Sequence, residues 1–337
     1  MELANILNNQ LFLPAENMSS FLLKKKTKKS FLEGIQILEY STRTNYLATL
    51  KQFEKFCYSN YDKKSIQDVV DEIKSLKPED KDEAFIGVLQ DFVNCMAKSK
   101  LANSTIQKYY QIAIYYFSYN GIRVHPIDLR QNVRIPKKIK EKLHPLTREE
   151  IIQLFRFTPL PRQMLYLVLI GSGMRIRETV ALRKKDFDLD YSKRIKIEIP
   201  AQFTKTRTAH TTFVSKEAEF FLRPYLDRLS NNDLVFATNS IPYHASMTEI
   251  EAFARYRERA GLTEKYESTR RHHISLHTFR SYFFIRARRV HDTDVAHAMI
   301  GHTTYLDMYD RKEDSEKLSL YLKVEPTLRI MSKLIQI

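Results

Sequence analysis

Apolar side chains recur every three or four residues through residues 40–125, a period that predicts amphipathic helices rather than strands. Ser41 or Thr42 is expected to cap the first of these helices, because a hydroxyl at that position can accept a backbone N–H. Three further helices are predicted, near residues 66–76, near 84–98, and from 103–105 to Gly121. Residues 40–125 are therefore predicted to form a compact four-helix unit.

The rest of the chain combines helices with one strand-rich patch. Residues 126–145 carry prolines and lysines and are expected to form an extended basic segment that follows a DNA backbone, or a plain interdomain linker. Thr147 and Glu150 make a capping-box pair that predicts the start of a helix, and strands are expected near residues 194–213. The expected fold is mainly α with a small antiparallel β-sheet (α+β). The predicted organisation is a basic leader (residues 1–38), a helical domain (39–125), a basic linker (126–145) and a C-terminal domain with its tail (146–337).

The charge of the chain narrows the class of partner. Its formal net charge is +15, and a folded protein with such a surplus favours a polyanion, either nucleic acid or an anionic membrane. The alternative is that the lysines are scattered over solvated helix faces. The leader is expected to be either a disordered basic tail or an arm that contacts DNA phosphates. The candidate DNA-binding residues in the leader, the first helix and the linker are Lys24, Lys25, Lys26, Arg43, Lys137 and Lys138.

Other features of the composition exclude whole classes of protein. The two cysteines, Cys57 and Cys95, form no C-x-x-C pair, so we expect no zinc site and no disulfide framework. No apolar run approaches the roughly 20 residues that span a bilayer, and the first residues lack the basic start of a secretory signal. Acidic residues are not clustered as in two-metal nucleases. We therefore expect no membrane association, no metal, no cofactor, and a cytoplasmic, nucleoid-associated protein.

Three short motifs carry candidate chemistry, and each is weak alone. A glycine-rich turn precedes Arg175 near a predicted helix start, where a guanidinium suits a phosphate. His277 and Arg280 lie one helical turn apart and face the same side. His302 follows Gly301, with tyrosines close behind. The alternative readings are a surface arginine, a chance H-x-x-R pair and core aromatic residues at a helix start.

The order of these motifs is more specific than any one of them. The succession G-x-R-x-x-E, a strand pair bearing a lysine, H-x-x-R, G-H and then Tyr resembles the catalytic domain of the tyrosine recombinases. The segments 41–46 and 103–106 resemble the helical core-binding domain of the same family. The resemblance implies a site-specific recombinase that cleaves and rejoins DNA through a 3′-phosphotyrosine link. It assigns catalytic positions to Arg175, Lys205, His277, Arg280 and His302, with Glu178 in a supporting role.

The position of the nucleophile departs from the family pattern. The resemblance favours Tyr309, which lies seven residues beyond His302, a spacing shorter than is usual in the family. Tyr305 and, less favoured, Tyr321 are the alternatives. The shortened spacing leaves open whether the tyrosine attacks within its own subunit or in a neighbour.

The resemblance also implies the partners. These are double-stranded DNA, three further copies of the chain in a tetramer on DNA, and possible accessory DNA-bending factors. The apolar residues after Asp310 are expected to form a tail that docks on a neighbouring subunit or packs on its own domain. A type IB topoisomerase and a non-catalytic DNA-binding protein on a recombinase scaffold are the competing interpretations. The lysine- and isoleucine-rich, tryptophan-free composition resembles that of archaeal or archaeal-virus integrases serving a mobile element.

Overall fold

The computed structural model describes residues 26–99, 101–302 and 311–331. The chain divides into two compact units, Met1–Lys140 and Glu141–Ile337, and each has its own hydrophobic core. The boundary falls inside the segment 126–145 that was predicted to be a linker. Within the described ranges, no helix combines the length and the apolar character needed to cross a membrane.

The described part of the N-terminal unit contains helices and no strands. Its helices are α1 (Lys28–Gly34), α2 (Tyr40–Asn60), α3 (Ile66–Ser75), α4 (Pro78–Ala97), α5 (Asn103–Tyr119) and α6 (Pro126–Asn132), with a 3-10 turn at Ile35–Ile37. Helices α2 to α5 are the four that the apolar period predicted. Their buried faces meet through aromatic rings: Phe53 lies 4.6 Å from Phe92 and 5.7 Å from Phe117, between ring centroids.

Several starts and boundaries differ from the expectation. Residues 1–38 were predicted to be an irregular leader, but Thr27 caps α1 with a capping box, and Phe31 and Ile35 are buried in the core. The two apolar residues lie one helical turn apart beside a run of lysines that obscured their pattern. Helix α2 begins one residue before the predicted caps, at Tyr40, and its N-cap Glu39 makes no side-chain capping bond.

The prediction of an extended linker is wrong over its first 7 residues. Residues Pro126–Asn132 form α6, because a proline suits the first turn of a helix and Leu129 is buried against the unit's core. The next residues form a strap (residues 134–137) that three amide side chains hold to the unit. Asn103 and Gln107 donate to the carbonyls of Lys137 and Pro136 at 2.8 Å, and the Arg134 N–H donates to Gln90.

The C-terminal unit mixes helices with the predicted small sheet. Its elements are α7 (Arg148–Phe155), α8 (Leu160–Ser172), α9 (Ile176–Thr179), β1 (Phe187–Asp188), β2 (Lys196–Ile199), β3 (His210–Phe213), α10 (Lys216–Leu226), α11 (Pro242–Arg259), α12 (Leu276–Val290), α13 (Thr293–Met299) and α14 (Asp314–Val324). The strands are antiparallel in the order β1-β2-β3, with Ile197 opposite Thr212. The predicted capping box of Thr147 and Glu150 is confirmed at the start of α7. The predicted fold class, mainly α with a small antiparallel sheet, is confirmed.

Helix α8 forms the centre of this unit. Every residue from Met164 to Ser172 is buried, and the helix packs against α10 and α12. The ring centroids of Tyr166 and Phe279 lie 5.5 Å apart at the contact between α8 and α12. The glycine turn at the end of α8 is therefore fixed beside α12, which carries the H-x-x-R pair.

The described part of the tail packs on its own unit. Leu318, Leu328 and Ile330 are buried in the core of the C-terminal unit. The carboxylate of Glu217 accepts the N–H groups of Ile330, at 2.9 Å, and of Met331. Of the two arrangements left open by the sequence, residues 314–331 adopt packing on their own domain.

Candidate active site

Two glycine turns lie on either side of the Arg280 guanidinium. Gly173 ends α8 with a φ of +69°, and Gly301 follows α13 with a φ of +71°. Arg280 donates one N–H to the carbonyl of Gly173 at 2.8 Å and another to the carbonyl of Ile300. One buried cation therefore joins two turns that are far apart in the sequence.

Both turns require glycine for reasons of space as well as φ. A Cβ at Gly173 would lie 2.6 Å from the ring of Phe283, and one at Gly301 would lie 2.8 Å from the ring of His210. These distances are below any normal contact, so the ring or the turn would have to move. The G-x-R and G-H motifs of the sequence thus mark close approaches of backbone to a packed ring.

Arg175 and Glu178 are connected in the way the sequence pattern predicts. Arg175 directly precedes α9, and its guanidinium Nη1 lies 2.6 Å from the carboxylate of Glu178, which is 1% exposed. The backbone N–H of Arg175 donates to the other carboxylate oxygen at 2.8 Å. Glu178 therefore fixes both the backbone and the side chain of Arg175.

The positive charge of Arg175 acts on the buried Arg280. Burial, followed by the positive charge of Arg175, lowers the pKa of Arg280 to about 10, and Glu178 opposes this shift. One buried carboxylate thus faces two guanidiniums, which leaves the group with an excess of positive charge. Such a group favours a bound anion.

Two histidines of the predicted set extend this group. Burial, then the charges of Arg280 and Arg175, lower the pKa of His277, although His277 keeps exposed surface. Burial, then Arg280 and His297, lower the pKa of His302 to about 4. Both imidazoles are therefore neutral at pH 7, and each can donate or accept one proton there. We call Arg175, Glu178, His277, Arg280 and His302 the arginine–histidine cluster.

The sequence analysis missed two further histidines beside this cluster. His210, on β3, is 6% exposed, packs against Gly301, and has a lowered pKa because of its burial. His297, on α13, lies 2.7 Å from His302 between their Nδ1 atoms. The spacing H-x-x-x-x-H was visible in the sequence, but the contact depends on α13 ending before Gly301.

Among the remaining candidate catalytic residues, the structure describes Lys205 and Tyr321, and neither has a recorded contact with the cluster. Lys205 lies exposed in the turn between β2 and β3, as expected for a lysine at a hairpin tip, and no described contact joins it to the cluster. Tyr305 and Tyr309 lie outside the described residues. Tyr321 is 1% exposed, and its hydroxyl donates to the carbonyl of Gly171 at 2.8 Å. A buried, hydrogen-bonded phenol of this kind is placed as a core residue.

The candidate DNA-binding residues of the N-terminal unit are mostly at its surface. Lys137 and Lys138 are exposed at the end of the strap, and Lys26 is exposed, with its ammonium 5.6 Å from the centre of the Tyr119 ring. Arg43 is partly exposed and donates to Gln36 at 2.8 Å. Lys24 and Lys25 lie outside the described residues.

Within residues 26–99, 101–302 and 311–331, no three His, Cys, Asp or Glu side chains are grouped as metal ligands. The cationic cluster is instead arranged for an anion. Its fixed donors are two guanidiniums and two neutral imidazoles on α9, α12 and the turns beside them.

Comparisons with known proteins point to the same unit. The model of the phage integrase family matches residues 141–308. The tyrosine recombinase XerA of Thermococcus kodakarensis is 26% identical over 160 residues, which is 42% of this chain and 55% of that protein. The alignment therefore spans about half the length of this curated relative.

Solved structures of low identity share the fold. The integrase of transposon Tn1549, in complex with transposon right end DNA, has a TM-score of 0.57 at 14% identity, over 87% of this chain and 96% of that chain. The XerH site-specific recombinase, bound to its difH substrate, has a TM-score of 0.53 at 18% identity, over 87% and 84%. A lambda integrase tetramer bound to a Holliday junction has a TM-score of 0.50 at 13% identity, over 89% and 84%.

The family match covers residues 141–308 of the C-terminal unit, which include every residue of the arginine–histidine cluster. The chain therefore belongs to the phage integrase family, the tyrosine recombinases.

Proposed function

We propose that this chain is a site-specific recombinase that cleaves and rejoins DNA strands through a covalent 3′-phosphotyrosine intermediate. The observation that carries the proposal is the arginine–histidine cluster, in which two guanidiniums share a single buried carboxylate and two neutral imidazoles lie within reach of the arginine charges. A scissile phosphate would supply the negative charge that this group lacks. Its location in the family-matched unit supports the same reaction.

The arginines suit the charge that develops during phosphoryl transfer. As the tyrosine oxygen attacks, negative charge grows on the non-bridging phosphate oxygens, and fixed donors stabilise it without reorganising. Arg175 is held by Glu178, and Arg280 is held by two backbone carbonyls, so both guanidinium groups are already oriented. Each guanidinium has five N–H donors, and the bonds described use only some of them, so others can bind a phosphate.

The remaining residues would take part in the two proton transfers of the reaction. The attacking phenol must lose its proton, and the leaving 5′ oxygen must gain one. Lys205, on its exposed turn, is the proposed general acid. His277 and His302, as neutral imidazoles, would donate to phosphate oxygens or take part in transfer of the tyrosine proton. Tyr309 is the proposed nucleophile, with Tyr305 as the alternative.

The proposed partner is double-stranded DNA, bound by both units, and the proposed active assembly is a tetramer. Recombination joins two duplexes with two cuts in each, which requires four tyrosines. The net charge of +15 and the exposed lysines of the strap support a DNA partner. Integration or excision of a mobile element, with accessory DNA-bending proteins, falls within this proposal.

A suicide substrate tests the reaction. The protein is incubated in EDTA with a nicked duplex carrying its candidate site, and covalent protein–DNA adducts are separated on a denaturing gel. We expect an adduct without metal, its loss in Tyr309→Phe, and its retention in Tyr305→Phe. Retention in Tyr309→Phe and loss in Tyr305→Phe would move the nucleophile to Tyr305. DNA binding without any adduct would contradict the proposed reaction.

A further inference from the structure

His297 contacts the last histidine of the cluster twice. Its Nδ1 lies 2.7 Å from Nδ1 of His302, and its backbone carbonyl accepts the N–H of His302 at 3.1 Å. The ring centroids lie 4.8 Å apart, and the ring planes differ by 26°. The nitrogens are therefore much closer than the rings, so the two imidazoles meet at their edges through a hydrogen bond. The end of α13 thus sets both the backbone and the ring of His302.

His297 is itself held in place. Its ring packs against Phe284 of α12, with centroids 4.6 Å apart. Helix α12 also carries His277 and Arg280, so the same helix that holds the arginine supports the histidine pair. The pair is partly buried and is held on one side by α12.

A hydrogen bond between two Nδ1 atoms restricts where the protons can be. One nitrogen must carry the hydrogen and the other must be unprotonated, because two N–H groups facing each other would repel. If His297 donates, the single proton of neutral His302 must lie on Nε2. If His302 donates, its Nε2 is an acceptor and cannot bond to a phosphate oxygen, which is also an acceptor.

The surroundings keep His302 neutral. The charged and titratable groups that act on His302 are Arg280 on α12, Arg175 beside α9, His277 on α12 and His297 itself, and all four lower its pKa. Glu178 lies in the same cluster but is paired with Arg175. Protonation of His302 is therefore disfavoured, and the tautomer of His302 rather than its charge decides what it can do.

We propose that His297 is a positioning residue that donates its Nδ1–H to His302, so that His302 presents an Nε2–H to a phosphate oxygen of DNA. The inference deepens the proposed function and rests on it for the identity of the phosphate. Hydrogen bonds to the second nitrogen of a histidine fix tautomers in the same way at metal sites and in catalytic triads. Here the partner is a second histidine five residues earlier in the chain.

The tautomer can be measured without DNA. Protein containing ¹⁵N-labelled histidine is examined by NMR, and the His302 signals are assigned from their loss in His302→Gln. We expect the proton on Nε2 in the wild-type protein and a mixture of tautomers in His297→Leu, which removes the donor. His297→Asn should keep the Nε2–H form, because the asparagine amide can donate in place of Nδ1. A wild-type His302 with its proton on Nδ1 would overturn the proposal.

The suicide-substrate assay then tests the consequence for cleavage. We expect His297→Leu to slow adduct formation by roughly 10- to 100-fold, the usual effect of losing a partner that orients a functional histidine. His297→Asn should recover most of the rate, and adding His297→Leu to His302→Gln should cause little further loss. Equal rates in His297→Leu and wild type would refute the positioning role. Absence of an adduct in the wild type would instead refute the proposed function, while the NMR result would still decide the tautomer.

Discussion

Gly301 shows how one residue without a side chain can determine the site. Its φ of +71° resembles that of Gly261, at +70°, yet only Gly301 lies against another residue, the His210 ring. The two glycines therefore separate the cost of the backbone conformation from the cost of the contact. They also lie in the same unit, which makes them a matched pair.

We expect Gly301→Ala to destabilise the protein more than Gly261→Ala. An L residue in the left-handed region costs about 1–2 kcal/mol, and this cost applies to both. Gly301→Ala must in addition displace His210 or the turn before His302, so the adduct assay should lose activity as well. Denaturant unfolding and single-turnover cleavage measure the two effects. Equal loss of stability with full activity in both variants would show that the close approach has no functional importance.

The histidines of the site predict a dependence of stability on pH. The pKa of His302 falls from 6.5 to about 4 on folding, and burial also lowers the pKa values of His210 and His277. Below about pH 6.5 these histidines bind protons in the unfolded chain but not in the folded site. The free energy of unfolding therefore decreases as the pH falls toward 4. Above pH 6.5 both states are neutral at these groups, and the contribution is constant.

We expect His302→Asn to lose less stability than the wild type between pH 6.5 and 4. Thermal unfolding of the variant and of the wild type is measured across this range. The carboxylates are the same in both proteins, so their effect cancels in the difference between the two. His125→Asn in the N-terminal unit is the control, since asparagine can replace His125 as the N-cap of α6. Identical pH profiles for His302→Asn and wild type would contradict the low pKa of His302.

At the scale of elements, one carboxylate fastens the tail to its unit. Glu217, at the start of α10, is 5% exposed and accepts two N–H groups of residues 330 and 331. Glu219 on the same helix instead pairs with Arg223 one turn away, and the Arg223 side chain is 41% exposed. The two glutamates therefore differ in what their loss would leave unsatisfied.

We expect Glu217→Ala to cost about 1–3 kcal/mol, because it leaves the buried Ile330 N–H without an acceptor. Glu219→Ala should cost about 0.5 kcal/mol or less, as is usual for an i,i+4 pair near the surface. Hydrogen exchange at residues 325–331 locates the effect, and it should quicken only in Glu217→Ala. Unchanged exchange in that variant would mean that the tail is held by its apolar side chains alone.

The elements also show what the sequence could and could not predict. The period of apolar residues found α2 to α5, and the order of motifs brought Arg175, His277, Arg280 and His302 to one cluster. Helix α1 was missed because a run of lysines directly precedes its short apolar face, and α6 was missed because the prolines of residues 126–145 indicated an extended segment. His210 and His297 were missed because their contacts arise only when β3 and α13 meet Gly301 and His302. Periodicity reports the structure of one segment, whereas these contacts join segments that the sequence does not relate.

For the whole molecule, the charge predicts how binding should respond to salt. The affinity for DNA should fall as salt rises, with a slope of about 0.9 per phosphate contact on logarithmic axes. Lys137 and Lys138 are exposed at the end of the strap, so their replacement by alanine should reduce that slope by about 2 if each contacts one phosphate.

The control removes the same charge elsewhere in the N-terminal unit. Lys74 and Lys77 lie among Asp71, Glu72 and Glu79, where DNA is disfavoured, so their double replacement should leave the slope nearly unchanged. Fluorescence anisotropy with a labelled duplex at several salt concentrations gives both slopes. Equal slopes for the two double variants would place the DNA contacts of this unit away from the strap.

The bracing of Arg280 affects how an inactive form of this protein should be made. Its guanidinium joins the ends of α8 and α13, so replacing it removes a structural cross-link together with a charge. In a variant made at Arg280, a loss of activity could come from the missing charge or from disruption of the two turns, and the assay would not separate these causes. An inactive protein for trapping the uncut DNA complex should instead be altered at the proposed nucleophile, Tyr309, because that change leaves the brace and the proposed phosphate donors in place.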